Sequence, residues 1–87
     1  MKAVVTVTGK DSMGIIAKVS ALCTEYDTNI VDISQTVMQE YFAMIMIVDI
    51  SLSRFALLEA ELKELGAELG LQIRIQRSEI FDAMHRI

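Results

Sequence analysis

Apolar and polar positions along the chain switch repeatedly between period two and helical spacing, and the switches mark the elements. From Lys2 to Thr8, Ala3, Val5 and Val7 alternate with Val4, Thr6 and Thr8. Both registers are rich in β-branched residues and one is wetter near its end, which predicts a central strand with one well-buried face. After Gly9-Lys10-Asp11-Ser12-Met13-Gly14 the apolar residues fall at helical spacing: Ile15, Ile16, Val19, Leu22, Cys23 and Tyr26. The pattern predicts an amphipathic helix of about 14 residues, with Asp11 or Ser12 as its N-cap. Asp27-Thr28-Asn29 is turn chemistry.

Ile30 to Gln39 returns to period two, with Val31, Ile33 and Val37 on the side expected to be buried and Asp32, Ser34 and Thr36 on the wet side. A reversal is expected at Glu40-Tyr41. Phe42 to Ile50 is apolar in both registers, as in a second central strand. Its outward register, Ala43, Ile45 and Ile47, meets no polar residue before Asp49, so something should cover it. Ser51-Leu52-Ser53 opens a second helix, with Ser53 the expected cap, an apolar stripe of Phe55, Leu58, Leu62, Leu65 and Leu69, and Gly70 as the stop. Leu71 to Arg77 alternates Leu71, Ile73 and Ile75 with Gln72, Arg74 and Gln76, which suits an edge strand. In the tail, Ser78 to Ile87, a short helix would collect Ile80, Phe81, Met84 and Ile87 on one side. Those side chains want a surface, for which a partner subunit is one source.

The order β-α-β-β-α-β, with right-handed crossovers, implies an α+β ferredoxin-like fold: a four-stranded antiparallel sheet with both helices on one face and strands 1 and 3 central. One domain is expected, with a core over residues 1–78 and a tail over 79–87.

Composition sharpens this picture at one point. The chain has 87 residues and 53% of them are hydrophobic, more apolar surface than one small core can hide. A homodimer is the expected remedy. The net charge of −4 rests on eight scattered Lys and Arg, whereas a nucleic-acid surface needs them clustered. No apolar run reaches membrane-spanning length and the N-terminus lacks a signal-peptide pattern, so a cytoplasmic protein is expected. Cys23 is the one cysteine. It reads as a small buried hydrophobe and rules out a disulfide framework or a cysteine-rich metal site.

Catalytic chemistry has little to build on. His85 is the single histidine and has no evident partner in the tail. Asp32 and Asp49 should share the outer sheet face, where paired carboxylates can act as acid and base, yet solvated strand positions explain them as well. There is no P-loop, nucleophile elbow or zinc spacing, and no cofactor is expected. Signatures of other users of this fold are missing too. Lys10 to Met13 does not carry the Met-x-Cys-x-x-Cys of a copper carrier, the first loop has no acylphosphatase arginine, and strand 1 has no RNA-stacking aromatics.

What remains is the glycine junction together with Asn29-Ile30. Gly9 and Gly14 permit close approach and unusual φ. First-turn N–H groups can receive a carboxylate, while Asp11 and Asn29 can accept from an ammonium. A zwitterionic amino acid fits that pattern, and so does a plain strand-to-helix turn with a capping Asp.

The run Thr8-Gly9-Lys10-Asp11-Ser12-Met13-Gly14-Ile15-Ile16-Ala17, followed by Asn29-Ile30-Val31-Asp32, resembles the ACT domain, a regulatory small-molecule module. More narrowly it is similar to single-ACT proteins related to the glycine cleavage system repressor. The resemblance implies amino-acid binding between two subunits, with Gly9, Asp11, Ser12, Met13, Gly14 and Ile15 from one chain and Asn29 and Ile30 from its neighbour. Met13 stands where the family's loop more typically has Pro. The loop backbone is then less rigid, and a flexible side chain lines the mouth. With no enzyme fused to it, such a sensor must act through another protein, as yet unknown. The competing readings are an interaction module with a vestigial pocket and, remotely, a small enzyme using Asp32 and Asp49.

Overall fold

A computed structural model describes residues 1–10 and 13–84. Seven elements follow one another: β1 (Lys2–Lys10), α1 (Ile15–Glu25), β2 (Asn29–Met38), β3 (Tyr41–Asp49), α2 (Leu52–Leu69), β4 (Gln72–Arg77) and α3 (Ser78–Met84). The strands form one antiparallel sheet in the order β2-β3-β1-β4. The two doubly apolar strands are therefore the central ones, as in a ferredoxin-like βαββαβ domain.

The inner face of the sheet carries Ala3, Val5 and Val7 of β1 and Phe42, Met44, Met46 and Val48 of β3, all buried against Ile15, Val19 and Cys23 of α1 and Leu58 and Leu62 of α2. Burying such side chains contributes about 1.5–3 kcal/mol each before entropy is counted. Gly70, in the left-handed region at φ 70°, ends α2 as expected. Leu71 and Ile75 then turn inward to close the core.

Several local expectations change. α1 is 11 residues long, shorter than its apolar period suggested, because Asp27 at φ 55° turns the chain once Tyr26 is placed. Its N-cap is Gly14 in the left-handed conformation, without a side-chain cap. Asp11 and Ser12, the expected caps, lie outside the described residues, as do His85 and Ile87. α2 begins two residues earlier than expected, with Ser51 rather than Ser53 as N-cap and the Ser51 and Ser53 hydroxyls 3.2 Å apart. The β2–β3 reversal sits on Gln39 and Glu40 rather than on Glu40-Tyr41, with Gln39 at φ 58°.

The largest correction concerns β2. Pairing places Ile33 opposite Met46 and Val37 opposite Phe42, so both face the helices' side, and a bulge falls between Ile30 and Asp32. Yet Val31, Ile33 and Val37 are 49%, 41% and 53% exposed. The helices do not reach the outer edge of the sheet. An apolar, unpaired edge strand results.

The tail also settles differently. α3 packs on β1 and β4 of its own chain, with Phe81 over the outer sheet face among Thr6, Thr8 and Arg74. It buries Val4, whereas Ile45 on the neighbouring β3 stays 48% exposed. The outer face is thus half covered by the chain itself.

Candidate functional site

The two glycines of the first loop have different physical reasons. Gly9, at φ 153°, lies where an added Cβ would stand 2.6 Å from Leu71 Cδ2. It lets β1 pass close under the α2–β4 corner. Gly14, at φ 82°, has open space around it and serves by its left-handed backbone, which a side chain disfavours. Its carbonyl accepts the first helical bond, from Lys18 N–H at 3.0 Å. Ile15 is buried in the core, so only its backbone is available to a ligand. Met13 is 97% exposed at the loop mouth.

Asn29 and Ile30 follow the other end of α1. Thr28 N–H donates to Cys23 O at 2.8 Å, closing the helix and directing the chain into β2. Asn29 is exposed beside a shallow cleft of about 220 Å³ with Thr24, Asp27 and Thr28. Ile30 packs on the core rim. In register, Asn29 aligns through Asp49 with Lys2, whereas Gly9 aligns with Phe42 and Val37. Gly9 is seven residues beyond Lys2 on β1, so at ~3.3 Å per residue the two halves lie about 23 Å apart. One chain does not bring them together.

Asp32 and Asp49 do share the outer face, as Asn29 pairs with Asp49 and Asp32 with Ile47. Each carboxylate is otherwise engaged. Asp32 Oδ1 accepts the Ile33 N–H at 2.8 Å, and Asp49 Oδ1 accepts from the Met1 ammonium at 3.2 Å. No hydrogen bond joins them. Among the described residues no group of three or more His, Cys, Asp and Glu is placed to hold a metal, and no helix is long and apolar enough to cross a membrane. Between α1 and α2 runs an acidic groove. Partial burial there, then the charges of Glu61 and Glu25, push the Tyr26 phenol above its ordinary range. Burial likewise raises the Cys23 thiol.

Sequence reasoning marked the outward register of β3 as needing cover but did not locate a cleft beside Gly9 on that face. An apolar cleft of about 290 Å³ opens there, walled by Met38, Tyr41 and Ala43. It adjoins a polar one of about 250 Å³ under Phe81. The signal was present in the Thr6, Thr8, Gln72, Arg74 and Gln76 positions, which alternation assigned only to solvent.

A family model for the ACT domain matches residues 2–76. The chain belongs to the ACT-domain family. A UPF0237 protein of Clostridium acetobutylicum is 53% identical over the full length of both chains. An ACT domain protein from Streptococcus pneumoniae superposes with a TM-score of 0.81 at 45% identity, covering 98% of each chain. A protein described as a candidate glycine cleavage system transcriptional repressor superposes at 0.80 with 28% identity, covering 86% of this chain and 44% of that one. ACT domains are typically regulatory, ligand-binding modules.

Proposed function

We propose that this ACT domain is an amino-acid sensor that works as a two-fold dimer paired along β2 and signals through a partner protein. The observation that carries the reading is the placement of the two half-sites at opposite ends of α1, beside an apolar edge strand left open. An antiparallel β2–β2 pair about a two-fold axis would set the partner's Asn29 and Ile30 beside this chain's Gly14 end, twice over. The same pairing would cover Val31, Ile33 and Val37 and satisfy the edge N–H and C=O groups. At each site the N–H groups of the α1 first turn receive the ligand carboxylate. The Asn29 side-chain oxygen, with Asp11, accepts from the ammonium.

Thermal stability measured against the twenty amino acids tests it. A ligand at 100 times its Kd stabilises by about 2.7 kcal/mol, several degrees here. Asn29→Ala should abolish that shift with the dimer intact by sedimentation. No shift from any amino acid, with a dimer still present, would leave an interaction module in place of a sensor. The fully exposed Met13, in place of a rigid Pro, is the feature that favours this second reading.

A further inference from the structure

The outer sheet face carries a second feature, separate from the loop and from Asn29. Thr6 pairs with Arg74, Thr8 with Gln72 and Val4 with Gln76, so these polar side chains stand in adjacent rows. Phe81 of α3 walls them on one side, and Gln76 Nε2 donates to Met84 Sδ at 3.0 Å where α3 ends. The resulting cavity of about 250 Å³ shares Thr8 with the apolar cleft of about 290 Å³ lined by Met38, Tyr41 and Ala43. The two meet at Thr8 and lie side by side on the outer face, a trough that is polar and cationic at the β4 end and apolar at the β3 end.

Among the described residues that line the trough, Arg74 is the only charged one. It also borders the groove between α2 and β4 where Glu59 lies, yet it makes no ion pair among the described residues, while Arg77 is held by Glu79. Among the described residues, no carboxylate lines either half. Asp32 and Asp49 share the face but sit toward the far end of β2 and β3, the latter occupied by the Met1 ammonium.

We infer that this trough binds an amphipathic monocarboxylate that lacks an ammonium group: a simple or 2-oxo carboxylic acid with a branched or aromatic body. The planar guanidinium presents a fork to a carboxylate, and the Thr6 and Thr8 hydroxyls and the two Gln amides supply neutral donors. A single positive charge matches a single negative one. The Met38, Tyr41 and Ala43 end takes the apolar body and gives an inorganic anion nothing to hold. An amino acid is selected against because its ammonium would enter a trough with no anionic acceptor, the reverse of the loop site. Pairing along β2 leaves this face open, so the inference rests on that mode of pairing but not on what the loop site binds.

The test is titration of the whole chain with 4-methylpentanoate and 3-phenylpropanoate, with leucine, phenylalanine and inorganic phosphate alongside, read by calorimetry and by backbone amide shifts. The two acids should bind saturably and move the amides of Thr6, Thr8, Ala43 and Arg74, and the other three should not. Arg74→Gln should weaken binding at least about tenfold, since it removes a charge-assisted pair. Arg74→Lys should recover part of that loss, and Lys18→Gln, an exposed cation on α1, should change nothing. Equal shifts from the amino acids or from phosphate, no saturable shift from the acids, or undiminished binding in Arg74→Gln would each overturn the assignment.

Discussion

Substituting Gly9 by Ala separates two explanations of the first loop. If Gly9 exists for the ligand, Gly9→Ala should cost binding and little stability. The structure argues the opposite. The new Cβ would stand 2.6 Å from Leu71 Cδ2, 3.4 Å from Leu71 Cα and 3.5 Å from Gly70 O, at a backbone φ of 153°. The closest atom is the end of a side chain that can rotate, but Leu71 is buried and has little room. Overpacking costs about 1–3 kcal/mol and a non-glycine residue in a sparse backbone region about as much again. With partial relief from Leu71, a loss of about 2–3 kcal/mol follows, or roughly 10–20 °C in Tm for a domain of this size. Gly14→Ala, with nothing within 4 Å, meets only the left-handed penalty of about 1–2 kcal/mol. Urea denaturation of both single variants, of Leu71→Ala and of Gly9→Ala/Leu71→Ala completes the comparison. Leu71→Ala alone should cost about 2–5 kcal/mol. The double variant should be more stable than the additive sum by about 1 kcal/mol or more, because the clash and its target vanish together. Additivity within about 0.5 kcal/mol, or Gly14→Ala as damaging as Gly9→Ala, would refute the account.

Four further outcomes can be checked. Gly66→Ala gains about 1 kcal/mol of helix propensity, but its Cβ meets the Leu71 carbonyl oxygen at 2.8 Å where Leu71 N–H bonds Gly66 O; the urea midpoint should fall. Ile33→Asp on the open edge should give a monomer in sedimentation velocity, while Ile45→Asp on the outer face should leave the dimer. Glu79, held below the ordinary carboxylate range first by its own backbone N–H and then by Arg77, stabilises α3 fully above its unfolded pKa. That contribution is lost as pH falls through the depressed folded value, so the protection factors of the α3 amides, taken relative to intrinsic exchange at each pH, should be lower near about pH 3 than near about pH 5. The buried, raised Cys23 thiol should react with a disulfide reagent only at the rate of unfolding, and faster in Leu62→Ala.

The central strands were legible because β1 and β3 are apolar in both registers, a pattern only a strand flanked on both edges can use. Gly70 was legible because a single residue type ends helices in the left-handed region. Alternation in β2 correctly told which side Ile33 and Val37 face, but a face is not a cover, and how far α1 and α2 extend over the sheet is a tertiary fact. The tail shows the same limit. Phe81 announced a need for apolar surface without naming whose, and the chain's own β1 and β4 supplied it, while Ile80 and Met84 stay 48% and 57% exposed. Gly9 and Gly14 looked alike in sequence since the contact that separates them comes from Leu71, distant along the chain. Arg74 looked like an edge-strand solubiliser until α3 folded over its row.

If both half-sites come from different copies, ligand affinity and dimer affinity are one linked quantity. Gly14 and Asn29 flank the two ends of α1, 11 residues or about 16 Å at 1.5 Å per residue, and Gly9 lies farther off along the sheet, so neither half has a substitute within its own subunit. Each bound amino acid then bridges two chains, and a dimer holds two such bridges. By linkage, a saturating ligand must tighten the dimer by the factor through which dimerisation tightens the ligand. Diluting the protein through its dimer dissociation range at fixed ligand should therefore lower the apparent affinity, and added ligand should shift the sedimentation midpoint to lower protein concentration. Ile33→Asp, which touches neither half-site, should abolish ligand binding solely by separating the copies. Undiminished binding in a proven monomer of that variant would refute the shared site.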